Sequence, residues 1–134
     1  MTTSFPLALR VSPLAVALGF GALGPAAAQP TAAPIRLAMS ALGDLTPYRV
    51  IASDTLAIVE KGDIPAARAR IKDLETAWDK AEATLKPKDG ATWTAIDGMI
   101  DEALTDLRTP APKPAACAAS LKALIAKMDA VAKA

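Results

Sequence analysis

The stretch that decides the fold runs Ile64-Pro65-Ala66-Ala67-Arg68-Ala69-Arg70-Ile71-Lys72-Asp73-Leu74-Glu75-Thr76-Ala77-Trp78-Asp79-Lys80-Ala81-Glu82-Ala83-Thr84-Leu85. Within it Ile64, Ala67, Ile71, Leu74, Trp78, Ala81 and Leu85 alternate at spacings of three and four without a break. A helix turns once in 3.6 residues, so this spacing places all seven on one stripe, the seam of helices packed nearly parallel or antiparallel. Asp63 precedes it as an N-cap with Pro65 just inside, and Lys61-Gly62 ends whatever comes before with a cation and a glycine suited to the left-handed C-terminal position.

The same grammar repeats on both sides. Upstream, Thr46-Pro47 reads as a cap followed by a first-turn proline, and Tyr48, Ile51, Thr55 and Ile58 recur at helical spacing, with Val50 and Val59 beside them. Downstream, Pro87 and Asp89-Gly90 make a turn, after which Trp93, Ile96, Ile100, Ala103 and Leu107 align with Leu104 widening the stripe. Thr109 to Pro114 is a proline-punctuated, extended connector. Cys117, Leu121, Leu124, Met128 and Val131 line a last helix. Four helices of roughly 16 to 22 residues span about 24 to 33 Å each. Short turns make neighbours antiparallel, so residues 46–134 are expected to form an all-α, up-down-up-down four-helix bundle. No segment alternates at period two, and no strand is expected.

Ahead of the bundle, Arg10 is followed by an uncharged run from Val11 to Ala28 that ends in Ala26-Ala27-Ala28 before Gln29. A cation, an apolar core and small residues at the cut are the parts of a secretory signal, so residues 1–28 are expected to be removed. A retained membrane anchor is the competing reading. Pro13, Gly19, Gly21, Gly24 and Pro25 argue against it, because they break the helix a span requires. No cysteine lies near the cut, so a lipid anchor is not expected. Residues 29–45 then form a small, proline-marked leader, with room for a short helical turn over 36–44 closed by Gly43.

Composition narrows the function classes. All 14 carboxylates and all but one of the 15 Lys and Arg lie beyond residue 28, leaving Arg36 onward with no surplus of charge for nucleic acid or an anionic membrane surface. The single cysteine, Cys117, cannot form an internal disulfide, and it falls on the apolar line of its helix as a small buried hydrophobe. An export signal with no disulfide framework and no remaining span favours the periplasm of a bacterium, or secretion beyond it.

Histidine is absent, which removes Ser-His-Asp and Cys-His catalysis and the commonest ligand for transition metals and haem. No glycine-rich phosphate loop occurs, and one cysteine cannot build a zinc site. Carboxylates are the only groups numerous enough to form a site. Glu75, Asp79 and Glu82 share one flank of the second helix, Asp97 and Asp101 one row of the third, and Glu102 and Asp106 another. They could hold a hard cation, with Glu75, Asp79, Asp97 and Asp101 the candidates. The plainer expectation is that this acidic helix complements Lys113, Lys122, Lys127 and Lys133 of the fourth in weak surface pairs of about 0.2 to 1 kcal/mol each. Trp78 and Trp93 flank the Pro87 turn. They are expected in the core, with a flat ligand platform as the alternative. No catalytic residue and no cofactor is assigned.

The run Leu74-Glu-Thr-Ala-Trp78-Asp79, followed by Lys86-Pro-Lys-Asp89, Trp93, Ile96-Asp97, Ile100-Asp101, Leu104 and Leu107-Arg108, resembles a group of short exported proteobacterial helical proteins. The likeness covers residues 48 to 129 and implies an exported helical domain without an activity attached. The turn Ala57-Ile-Val-Glu-Lys-Gly62-Asp63-Ile-Pro-Ala-Ala67 also resembles that of tetratricopeptide-type hairpins, although the tryptophan, glycine and tyrosine pattern of that repeat does not recur. It is similar as well to a turn in soluble four-helix cytochromes, from which the chain departs by having no histidine. Together these readings predict a non-enzymatic periplasmic bundle acting through a protein partner. The alternative is a small-ligand or hard-cation module built on the carboxylate flanks or on the Trp78 and Trp93 end.

Overall fold

A computed structural model describes residues 40–134; the expected signal peptide over 1–28 and the leader up to residue 39 lie outside the described residues. Four helices follow in order: α1 (Thr46–Glu60), α2 (Ile64–Leu85), α3 (Gly90–Arg108) and α4 (Pro114–Lys133). Each packs on the next, and α4 closes the ring on α1, so the chain is an all-α four-helix bundle. Cross-helix contacts run in opposite senses along α1 and α2 and along α1 and α4. Tyr48 and Asp54 of α1 meet Trp78 and Arg70 of α2, and Arg49 and Glu60 of α1 meet Asp129 and Lys122 of α4. Among the described residues no helix is long and apolar enough to cross a membrane.

The turns are built from the residues that their geometry demands. After α1, Gly62 adopts φ +82°, and its N–H reaches the Val59 carbonyl at 2.9 Å while the Asp63 N–H reaches that of Ile58 at 3.2 Å. This paired closure satisfies carbonyls that the helix end leaves open. Asp63 at once caps α2, accepting the Ala66 N–H at 3.0 Å. Asp89 does the same for α3, accepting the Thr92 N–H at 3.0 Å. At α1 the cap differs from expectation. Thr46 is the first helical residue rather than the cap, and the Asp44 carboxylate accepts its N–H at 2.9 Å. A carboxylate two residues ahead reaches that amide without leaving the chain path.

The seams of α2 and α3 fall where the spacing puts them. Ala67, Ile71, Leu74, Trp78 and Leu85 are buried on α2, and Trp93, Ile96, Ile100, Ala103, Leu104 and Leu107 on α3. On α1 the buried line is Ala52, Thr55 and Val59, with Ile51 and Ile58 half-buried along one side of it and Leu56 along the other. A helix wedged between two neighbours buries the residues that bisect them, so the line is centred one position later than Ile51 and Ile58 alone suggest. Thr55 tolerates full burial because its Oγ1 donates to the Ile51 carbonyl at 2.8 Å.

Residues 40–43 form a reverse turn rather than a helical one. The Gly43 N–H reaches the Ser40 carbonyl at 2.8 Å, the Ser40 hydroxyl donates to the Gly43 carbonyl at 2.6 Å, and Gly43 takes φ +109°. A positive φ stops a helix there and aims the chain back at the bundle. Leu42 and Leu45, in the stretch expected to lead up to the bundle, are both buried in its core.

Candidate functional site

Two antiparallel helices joined by a short turn bring the residues on either side of that turn together. Trp78 of α2 and Trp93 of α3 therefore meet, stacked with ring centroids 5.8 Å apart and planes 13° from parallel. Tyr48 of α1 closes the far side of Trp78 edge-on, at 5.2 Å and 89°. Trp78 is 1% exposed and Trp93 6%, so the two rings face each other and the core, not solvent. Lys86 covers what remains of Trp93, its Nζ 4.5 Å from the ring centroid and 2.7 Å from Glu82 Oε1. Both indole N–H groups are buried without an acceptor in hydrogen-bonding geometry.

Outside this aromatic end, the α2/α3 face carries the acids that the sequence singles out. Glu75 is held by Arg108, whose Nη2 lies 2.6 Å from its Oε2, and Asp79 and Glu82 border a shallow groove of about 460 Å³ with Ala83, Lys86 and Pro87. Asp97 is half-buried one turn after Trp93, and Asp101 is exposed one turn further on. Burial pushes the Asp97 carboxyl up, and the negative charges of Asp101, Asp79 and Glu82 push it the same way. The Trp78 N–H, although outside hydrogen-bonding geometry, acts in the opposite sense and is outweighed. Among the described residues no three carboxylate or thiol side chains converge on one point as a metal would require.

The expected neutralisation of α3 by α4 is where the structure departs from the charge pattern. The two helices pack side by side, yet no ion pair joins an acid of α3 to a lysine of α4 among the described residues. Lys122 turns to Glu60 of α1 at 3.2 Å instead. The other links between helices are made by arginines, whose pairing the charge pattern does not announce. Arg49 of α1 donates through Nε and Nη2 to the two carboxylate oxygens of Asp129 of α4, and Arg70 of α2 reaches Asp54 of α1 at 2.8 Å. Arg108 of α3 takes Glu75 of α2. Arg68 of α2 donates to the Leu107 carbonyl and, at 2.8 Å, to that of Thr109, closing the carbonyl end of α3. The signal was available, since a planar five-donor fork suits bridging two helices better than a lysine does.

Six carboxylates are thus paired with cations, and three more, Asp44, Asp63 and Asp89, cap helices. Asp79, Asp97, Asp101, Glu102 and Asp106 do neither, and four of these five sit on α3. Cys117 is fully buried, and burial pushes its thiol up, which keeps it protonated. No family model, curated protein or solved structure matches the chain.

Proposed function

We propose that the protein is a non-enzymatic helical bundle of the bacterial periplasm that acts by contacting another protein through the outer face of α3. The observation that carries this reading is a group of acids that neither pair with a cation nor cap a helix. Asp97, Asp101 and Glu102 stand on α3, with Asp79 beside them on α2. The only large apolar side chain exposed among the described residues is Val50, so a contact would be polar and electrostatic, and the partner would present Lys or Arg. The export signal supports the compartment. Through that contact the protein serves as an accessory of an envelope or signalling complex. Capture of the exported protein at low salt, beside a variant carrying Asp101→Lys and Glu102→Lys, tests the idea. A partner retained by the wild type, released by salt and lost on charge reversal is expected; retention by the reversed variant would sink it.

A small-ligand or hard-cation module is the second reading, favoured by the groove that Asp79, Glu82, Ala83, Lys86 and Pro87 line. It predicts a saturable rise in melting temperature with ligand, which the contact reading does not.

A further inference from the structure

The connector from α3 to α4 carries Pro110, Pro112 and Pro114. A proline fixes its own φ and holds the residue before it extended, so Lys113 leaves the chain from a set backbone, with φ −91° and ψ 114°. At the start of the connector, Arg68 donates to the Leu107 and Thr109 carbonyls, and the Thr109 hydroxyl donates to the Asp106 carbonyl at 3.4 Å. Beside these fixed points lies an open groove of about 410 Å³, lined by Asp106, Thr109, Pro110, Ala111, Lys113 and Ala116.

The groove holds one acid and one base, and they do not meet. Neither Asp106 nor Lys113 forms an ion pair, with the other or with any side chain among the described residues. Asp106 is half-buried, and burying a carboxylate without a cation or a donor costs free energy that nothing in the bundle offsets. Each charge also stands at the wrong end of its helix. Asp106 is in the last turn of α3, where the helix dipole is negative, and Lys113 is the N-cap residue of α4, where it is positive. Two charges that stabilise neither helix, set in one groove without neutralising each other, suit a molecule that carries both signs.

We propose that this groove binds a small zwitterion, an α-amino acid being the simplest, with its ammonium on the Asp106 carboxylate and its carboxylate on the Lys113 Nζ. Pro110, Ala111 and Ala116 give the carbon frame an apolar border, which favours a short aliphatic side chain. The site shares no residue with the acids offered to the protein partner or with the groove beside Lys86.

Amide NMR of the purified, isotopically labelled protein tests the site, with L-alanine as the probe and no partner present. Millimolar L-alanine should shift the amides of Thr109, Ala111, Lys113 and Ala116 along one saturable curve. Acetate and methylammonium, which each carry one of the two charges, should not saturate in that range. Asp106→Asn and Lys113→Gln should each weaken binding about tenfold or more, as loss of a charge-assisted hydrogen bond does. Both substitutions remove a charge that the helix dipole disfavours, so neither should lower the melting temperature, and lost binding would not reflect unfolding. No saturable shift with L-alanine, an equal response to acetate, or shifts centred on Ala83 and Lys86 would overturn the proposal. Each of these outcomes leaves the contact reading standing, because that reading needs neither Asp106 nor Lys113.

Discussion

Trp78 and Trp93 lie face to face at 5.8 Å, so the broadest ligand platform each could offer is covered by the other. Set on either side of the α2–α3 turn, with Tyr48 edge-on against Trp78 and Lys86 over Trp93, the pair is part of the core. Trp78→Ala should therefore cost about 3 to 5 kcal/mol, the range for deleting a buried aromatic. Asp101→Asn, on the exposed face of α3, should cost under about 0.5 kcal/mol. Urea melts of the two variants decide the matter, and comparable midpoints would mean that the stack is not core. A Trp78→Ala, Trp93→Ala cycle should leave a coupling of about 0.5 to 1.5 kcal/mol from the stacking itself.

The α1–α2 turn rests on one backbone conformation and one cap. Gly62 has φ +82° with open space where a Cβ would go, so Gly62→Ala meets no clash and isolates the backbone term. The left-handed conformation should cost about 1 to 2 kcal/mol for alanine. Asp63→Ala, which frees the Ala66 N–H, should cost about 1 kcal/mol. Equal stability of Gly62→Ala and wild type in denaturant would show that the turn relaxes to another form.

Arg68 fastens the end of α3 from the start of α2. Arg68→Ala should destabilise by about 1 kcal/mol, and Arg68→Lys should recover little of it, because one ammonium cannot serve the Leu107 and Thr109 carbonyls in the same fork. Hydrogen exchange should quicken in the last turn of α3 in both variants. Full rescue by lysine would show that charge alone matters there.

Acid loosens the bundle at the carboxylates that hold arginine or cap a helix. Asp129 is held below the usual carboxylate range by its hydrogen bonds to Arg49, and Asp44 and Asp89 by those to Thr46 and Thr92. Each contributes stability present above the ordinary value of 3.8 and lost as pH falls through its lower folded-state value. Asp129→Asn should thus be less stable than wild type at neutral pH by no more than about 1 kcal/mol, as befits a half-exposed pair. The difference should vanish in strong acid. A difference constant across pH would remove the ion pair as its cause.

Millimolar Ca²⁺, Mg²⁺ or Mn²⁺ should leave the melting temperature nearly unchanged, since no three acids converge among the described residues. A specific site would instead stabilise by about 2.7 kcal/mol at a hundredfold excess over Kd. A saturable rise abolished by Asp97→Asn would favour the cation-binding module over the contact reading.

The helices were legible because their stripes, prolines and glycines are local signals. Ile71, Leu74 and Trp78 on α2, and Ile96, Ile100 and Leu107 on α3, announce their burial through spacing alone. Leu42 and Leu45 do not, because two apolar residues beside a Gly43 turn have no period to read; only the shape of the bundle end makes room for them. The charge pattern misled for a similar reason. Counting acids on α3 against lysines on α4 ignores rotation about each helix, and Lys122 faces α1 while the arginines make the bridges. The candidate acids were all visible in the sequence, but which of them lack a cation depends on where Arg108 and Lys86 reach.

The central claim, that the acidic outer face of α3 meets a basic protein partner, is tested most directly by a photo-crosslinking residue placed in turn at Asp101, Glu102 and Lys72 in the exporting cell. The first two sit on α3, and Lys72 is an exposed position of α2. A single adduct of one mass from Asp101 and Glu102, absent from Lys72 and abolished when salt is raised to about 1 M, where the screening length falls to about 3 Å, is the predicted result. Adducts equal at all three positions, or none at Asp101 and Glu102, would contradict the claim.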